Sequence, residues 1–288
     1  MQYAFSSDPT LSTRLFDLLD TVFPGMRQVA DNARALGAPW EAVSTPFLVC
    51  EGQRVLSHVG VIELSLILLG EKVIVGSIHG VATHPDCRRR GYYRQVIEEA
   101  LRYCEQRYAT QILTTEHPEY FEPFGFRVVQ EHGFTVRLRS TGQRDGLRLY
   151  NPHDAQDIAL LHCLLETRIP VSQVVGVVNE KAVFCFNEGS RPLYYVADLD
   201  VLLCLEQEGT HLKIFDVVGP RIPSLAAIVE RIPHTIEKVT LCFSSDRLGV
   251  DAEAKPYVFD HDGPSYFMVR GPFKAEGHTF TLPRSART

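Results

Sequence analysis

The chain has 288 residues, 45% of them hydrophobic, and its 29 basic and 35 acidic side chains leave a formal net charge of -6. That is material for one large or two ordinary domains, and the negative balance gives no general attraction to nucleic acid or to an anionic membrane. No apolar run has the length of a membrane-crossing helix and the first residues lack the basic and apolar regions of a signal peptide, so a cytoplasmic protein with neither nucleic-acid nor membrane partners is expected. Cys50, Cys87, Cys104, Cys163, Cys185, Cys204 and Cys242 are odd in number and never spaced Cys-x-x-Cys, which supports neither a disulfide framework nor a zinc site.

Residues 3–5 read as a short strand and Ser6-Ser7-Asp8-Pro9 as a helix start. Leu11, Leu15, Leu18, Leu19 and Val22 form an apolar stripe at helical spacing that ends at Phe23-Pro24-Gly25. A second helix is expected over 26–36, closed by Gly37. Trp40, the one tryptophan, follows; a core or hinge anchor is the commoner role for it, and stacking on a substrate the alternative. Residues 45–50, 55–69 and 73–82 read as three strands, joined by turns at Glu51-Gly52-Gln53 and Leu69-Gly70-Glu71.

The third strand runs into Thr83-His84-Pro85-Asp86-Cys87-Arg88-Arg89-Arg90-Gly91-Tyr92-Tyr93-Arg94, after which Tyr93, Val96, Ile97, Ala100, Leu101 and Cys104 mark one face of a helix. A strand that feeds a basic loop and then a helix N-terminus makes an anion seat. The orphan N–H groups and positive dipole end favour negative charge, and arginine forks suit phosphate oxygens. A charge run is more often a solvated turn. Gly91 argues otherwise, because it stands where backbone must approach a ligand or take a conformation that other residues resist. Neither Gly-x-x-x-x-Gly-Lys-Ser/Thr nor Gly-x-Gly-x-x-Gly spacing occurs at this turn.

This stretch resembles the acyl-CoA-binding motif of the GNAT N-acetyltransferases, usually Gln/Arg-x-x-Gly-x-Gly/Ala. Arg88 and Gly91 fit it, whereas Tyr93 stands where the family usually has a small residue. The Arg-Arg-Arg-Gly form with larger residues behind it is similar to the branch of the enhanced-intracellular-survival acetyltransferases. Tyr120-Phe121-Glu122-Pro123-Phe124-Gly125-Phe126 resembles the family's late Tyr-x-x-x-Gly-Phe motif. The resemblance covers 1–140 well and the remainder weakly. It implies an α/β (α+β) GNAT fold, a mixed central sheet flanked by helices, whose third strand splays from its neighbour. It further implies acetyl-CoA as acyl donor, with Val81, Ala82 and Thr83 as backbone contacts and Arg88, Arg89, Arg90, Gly91, Tyr92, Tyr93 and Arg94 holding its pyrophosphate.

A strand near 111–115 leads to Thr114-Thr115-Glu116-His117-Pro118-Glu119-Tyr120, at the carboxyl end where such sheets carry ligand contacts. Acetyl transfer from a thioester to an amine needs a neutral amine, stabilisation of the carbonyl oxygen and a proton for the departing thiolate. Glu116 or His117 is placed to accept the amine's proton, directly or through water, and Tyr120 to donate to the sulfur. The family's tyrosine stands four residues before the Gly of Gly-Phe, and here that position is Phe121. One step along a helix turns a side chain by about 100°, which leaves a packing role open for Tyr120. His79 and His84 flank the acyl-binding strand as rival bases, His84 reading more simply as a turn residue.

Residues 126–130 and 134–138 are expected to pair as a hairpin that closes the first domain, 1–140, followed by a polar linker, 141–147. Beyond it, Asn151-Pro152-His153-Asp154 starts an amphipathic run through Ile158, Leu161 and Leu165. Strands at 193–197, 201–206 and 211–218, a turn, a helix carrying Leu225, Ile228, Val229 and Ile232, and strands at 239–243 and 266–270 repeat the plan of the first half. The triple arginine is missing from that second turn, so 148–288 reads as a degenerate GNAT-like domain that does not bind CoA. In the resembled branch a further carrier-protein-like domain follows and the carboxyl terminus reaches the active site. This chain has little room for such a domain, so that role is not carried to Thr288. His261 between two acids has too few ligands of metal spacing and reads as a turn.

The expectation is thus an acetyl-CoA-dependent N-acetyltransferase acting on a primary amine of a small molecule or peptide, alone or as a homo-oligomer. A non-catalytic acyl-CoA-binding module is the alternative, for which Tyr93 and Phe121 argue. A basic-loop domain for RNA is disfavoured by the net acidity.

Overall fold

A computed structural model describes residues 3–141, 146–178, 180–260 and 263–288. The chain begins with a 3-10 turn, Phe5–Ser7, in place of the expected strand, tied to the body by Tyr3 N donating to Pro46 O at 3.0 Å. Helices α1 (Leu11–Val22) and α2 (Met26–Ala35) follow, then the antiparallel strands β1 (Ser44–Glu51), β2 (Arg54–Leu68) and β3 (Glu71–Thr83). Helix α3 (Tyr92–Glu105) leads to β4 (Gln111–Thr115), which lies parallel to β3. Ile62, Leu64 and Leu66 of β2 pack with α1, and Val59 and Val61 with α3. Alternation along the strand therefore feeds two cores, and β2 reads as a continuous apolar run because both its faces are covered.

The remaining strands are β5 (Arg127–Val128), β6 (Glu131–Ser140), β7 (Leu147–Leu149), β8 (Val175–Val178), β9 (Leu193–Val196), β10 (Val201–Glu208), β11 (His211–Val218), β12 (Ile236–Leu241), β13 (Glu253–Tyr257), β14 (Phe259–Asp260) and β15 (Pro264–Arg270). Helices α4 (Ala155–Thr167), α5 (Lys181–Glu188) and α6 (Leu225–Val229) lie among them. One sheet runs β1-β2-β3-β4-β15-β14, with β5 beside β15 and β8 beside β2; the other runs β13-β6-β12-β11-β10-β9-β7. In the second, α6 joins β11 to β12, which pair in parallel from His211↔Lys238 to Ile214↔Leu241. That reproduces the β3-α3-β4 unit, as the repeated order implied.

The two halves exchange strands, which corrects the expected hairpin and the expected domain limits. β6, from the first half, pairs antiparallel with β12, and β15, from the second half, pairs antiparallel with β4. β5 pairs with β15 and not with β6. The cause is core composition: Phe134 and Val136 of β6 complete the second core, whereas Phe267 and Val269 of β15 enter the first. A division at 141–147 therefore does not separate the sheets, and residues 142–145 of that linker lie outside the described residues. Among the described residues no helix is long and apolar enough to cross a membrane.

The final segment returns between the sheets and is held there by buried charge. Arg284 donates to both oxygens of Glu188 on α5, at 2.8 Å each, and to Glu206 on β10 at 2.8 Å. Ser285 donates to Asp216 on β11, whose carboxylate also receives Arg168 at 2.9 and 3.1 Å. Arg287 reaches Glu131 on β6 at 2.6 Å. Ions so far from water persist only when paired and multiply hydrogen-bonded, and removing one partner strands the other. Arg284→Ala, which leaves Glu188 buried without its guanidinium, is expected to lower the unfolding free energy by about 3–5 kcal/mol, read from urea denaturation. A loss below about 1 kcal/mol, the size of a surface pair, would contradict this account of the tail.

Candidate active site

The ladder between β3 and β4 holds only Gly76↔Gln111 and Ser77↔Ile112, after which the strands part. β3 continues to Thr83 along β2, and in doing so takes in one extra residue: His79 faces Gly60, yet Ala82 faces His58. Gly80 occupies this bulge with φ 56°, a left-handed conformation suited to glycine. Over 78–83 the other edge of β3 has no strand partner among the described residues, and Val81, Ala82 and Thr83 lie on that length.

Beneath the bulge sit two buried histidines. His58 Nδ1 lies 2.6 Å from Gly80 O, which fixes the proton on Nδ1 because a carbonyl can only accept. His79 Nε2 lies 3.0 Å from Ser44 Oγ, and its ring fills the space that a side chain on Gly60 would need. Trp40 meets His79 edge-on at 4.4 Å and Phe186 at 4.5 Å, and is only 6% exposed, so it is a packing anchor between α5 and the first sheet. Burial lowers His58 to about 4, against the pull of its bond to Gly80, and holds His79 well below the ordinary imidazole range. Both rings are buried and favoured in the neutral form, which counts against His79 as a rival base.

After β3 the chain makes a tight turn, Pro85–Cys87, in which His84 Nδ1 accepts from Asp86 N at 3.3 Å and lies 3.0 Å from Arg54 Nη2; His84 is a turn residue. Cys87 is buried, whereas Arg88, Arg89 and Arg90 are exposed. Arg88 Nε donates to Thr83 O at 3.4 Å. Arg89 has φ 62° and Gly91, the residue before α3, has φ 83°. No side chain caps the helix, whose first-turn N–H groups have no partner within the helix. A Cβ on Gly91 would meet nothing within 4 Å; glycine is required by the backbone conformation, not by crowding. Tyr92 is half-buried and Arg94 is exposed, its guanidinium 5.7 Å over Phe124.

Tyr93 turns inward. Its hydroxyl donates to Tyr120 O at 2.7 Å, its ring meets Phe121 and Phe124 edge-on, and burial raises its phenol above the usual range. The tyrosine that departs from the motif is thus a strut holding 118–124 against α3. Phe121 is buried with Val96, Ile97 and Phe126, while Tyr120 is 55% exposed and lies against His117. The one-residue offset has exchanged their places. Glu116 is exposed at the end of β4 and faces Gly263, where an added Cβ would come 3.1 Å from its Oε1; His117 lies 3.1 Å from Glu119. His261 lies outside the described residues, and among these no group of three His, Cys, Asp or Glu is placed to hold a metal.

Thr288, set aside in the sequence, does enter the cleft. Its backbone oxygen accepts from Thr114 N at 3.3 Å and Thr114 Oγ1 at 2.7 Å, and its hydroxyl bonds to Ser77 Oγ. No extra domain is needed to bring it there, because Arg284, Ser285 and Arg287 anchor the preceding turn. The only signal in the sequence is a pair of arginines within an otherwise uncharged tail, 279–288.

Residues 9–129 match the family model described as an acetyltransferase (GNAT) domain. The chain carries a GNAT acetyltransferase domain. The match includes both the loop at 88–94 and the late motif at 120–126, and with it stands the acyltransferase class that they implied. A probable N-acyltransferase from Enterococcus faecalis V583, described as a conserved protein of unknown function, superposes with a TM-score of 0.58 at 13% identity, over 94% of this chain and 71% of its own. A GCN5-related N-acetyltransferase from Kribbella flavida gives a TM-score of 0.56 at 19% identity, over 91% of this chain and 69% of its own. Such coverage extends the shared fold well beyond the GNAT domain into the second sheet. A search of the curated proteins finds no significant match.

The buried imidazoles make the GNAT domain's stability depend on pH. An unfolded histidine titrates near 6.5, and folded His58 at about 4. Between these values the unfolded chain holds a proton that the folded chain lacks, so stability present at neutral pH is lost as the pH falls; His79 acts in the same direction. Unfolding free energies from urea titrations should drop by roughly 2 kcal/mol or more between pH 7 and pH 5. Burial raises Glu180 and Glu188, which acts in the opposite direction, so a drop that His58→Gln leaves unchanged would mean that His58 is not buried in neutral form.

Proposed function

We propose that the GNAT domain binds acetyl-CoA along the open edge of β3 and transfers its acetyl group to a primary amine of a small molecule or peptide in the cytoplasm. The observation that carries this reading is the succession of that open edge, a tight turn and the uncapped start of α3: Arg89 and Gly91 hold left-handed conformations in the loop that follows the strand which has lost its neighbour. In this reading the N–H groups at the start of α3, with Arg88, Arg89, Arg90 and Arg94, hold the pyrophosphate, and Gly91 and Tyr92 supply backbone to it. Tyr93 supports the seat from behind. The backbone of Val81, Ala82 and Thr83 pairs with the pantetheine arm.

The amine nitrogen attacks the thioester carbon, forming the C–N bond; the carbonyl oxygen gains charge beside the bulge; the C–S bond then breaks and the thiolate takes a proton. Glu116 is the proposed acceptor of the amine's proton through water, supported by its exposed place just past the end of β4 and its freedom from ion pairs among the described residues. Tyr120 is the proposed donor to sulfur, supported by a hydroxyl that makes no hydrogen bond among the described residues. The second sheet's module is not assigned a CoA site. Its corresponding helix α6 has five residues, and Arg221 beside it donates to Leu199 O and Asp198 O.

Calorimetric titration with acetyl-CoA should give saturable binding that Gly91→Trp abolishes; a wild type that does not bind overturns the reading. Given binding, supplying amines should release free thiol, and Tyr120→Phe should lower kcat by about 100-fold with the KM for acetyl-CoA unchanged. Binding without thiol release for any amine favours instead a non-catalytic acyl-CoA module, to which the burial of Phe121 at the usual tyrosine position points.

A further inference from the structure

The vertex of the β3/β4 splay is closed by hydroxyl groups from three distant parts of the chain. Ser77 stands in the last ladder pair, Thr114 two residues beyond the other member of that pair, and Thr288 bridges them. The Thr288 hydroxyl also lies 3.5 Å from Ile78 O, the first carbonyl that β4 leaves unpaired. The neighbouring positions on the two strands are apolar: Ile78, Ile112 and Leu113 are buried, Ile112 in the core beneath one face and Ile78 and Leu113 in that beneath the other. A polar plug thus sits where the two strands part, among apolar neighbours.

Its position relative to the donor follows from strand geometry. Thr83 lies five steps along the strand from Ile78, about 16 Å at roughly 3.3 Å each, and the basic loop follows the Pro85–Cys87 turn beyond it. An arm that starts at the loop and runs down β3 delivers its acyl end toward the plug. A longer acyl chain must continue into the vertex, where its methylenes would displace hydroxyls already bonded to one another and strip them of partners. Nor can the plug yield easily. Arg284, Ser285 and Arg287 fix the residues before Thr288 to Glu188, Asp216 and Glu131, and Asn187 Nδ2 donates to Arg287 O at 2.8 Å.

We propose that Thr288, together with Ser77 and Thr114, forms the floor of the acyl-group subsite and restricts the donor to short-chain acyl-CoA. The inference rests on the reading that acyl-CoA fills the splay. It gives the second half of the chain a part in donor selection, because that half supplies most of the groups that hold the floor in place.

Full-length protein, Thr288→Gly and Ser77→Ala are to be titrated with CoA, acetyl-CoA and hexanoyl-CoA, with circular dichroism confirming that each variant is folded. The wild type should bind hexanoyl-CoA more weakly than acetyl-CoA by about tenfold or more. Thr288→Gly should reduce that discrimination by a similar factor, through tighter hexanoyl-CoA binding, while affinity for CoA itself stays the same. Ser77→Ala, opening the floor from the opposite wall, should shift the ratio in the same direction. Equal wild-type affinity for both donors, or a ratio that neither variant changes while CoA still binds, overturns the floor. Failure of the wild type to bind CoA in any form overturns the donor reading itself, and the floor with it.

Discussion

The candidate site depends on a ladder that stops early. Backbone N–H and C=O groups inside a protein must find partners, and a strand that loses its neighbour must find them elsewhere. β3 keeps β2 along its whole length but keeps β4 for two residues only. Near the vertex the tail at Thr288 supplies partners to β4 and approaches Ile78; further along, the edge is left to whatever enters the gap. The bulge at Gly80 and the imidazole of His58 beneath it belong to the same economy, since a carbonyl turned toward the core requires a buried donor. Loop, bulge and tail are three answers to one unpaired edge.

The second half contributes in two ways. It lends β15 to complete the first sheet beyond β4, and its ion pairs hold the final turn between the sheets. In exchange the first half lends β6 to β12. Each sheet is therefore finished by a strand from the other half, and the buried charges lie where the halves meet: Glu131 is on the lent β6, while Asp216 and Glu188 belong to the second half. The same arrangement sets Trp40 between His79 and Phe186, where a ring from the second half rests against the anchor.

The parts of this structure that were legible in the sequence are those whose cause is local. The basic loop and its helix are written in consecutive residues: a turn, three arginines, a glycine and a helical stripe. The first three strands could be read because glycine turns separate them. The exchange of β6 and β15 was not legible, because β6 alternates like any half-buried strand, β15 is a short apolar run from Tyr266 to Val269, and neither pattern says which sheet receives it. The departure at Tyr93 and the offset of Phe121 were visible as anomalies, but only the fold shows that they are one adjustment, the larger ring on α3 supporting the turn that carries the other. Thr288 could not be placed, because its position is set by arginines whose partners are as far away in sequence as Glu131.

Reciprocal lending of strands also governs how the molecule comes into being. When the first half has emerged from synthesis, β4 is an open edge flanked by apolar residues, and β6 has no sheet to join. Local hairpins and helices can form early, but the first core does not close until β15 and the tail supply Phe267, Val269, Phe280 and Leu282. Most of the decisive contacts are therefore distant in sequence, a topology associated with slow folding and with prolonged exposure of strand edges. The same feature makes the two halves a single cooperative unit: neither half carries, within its own sequence, the strand that finishes its sheet.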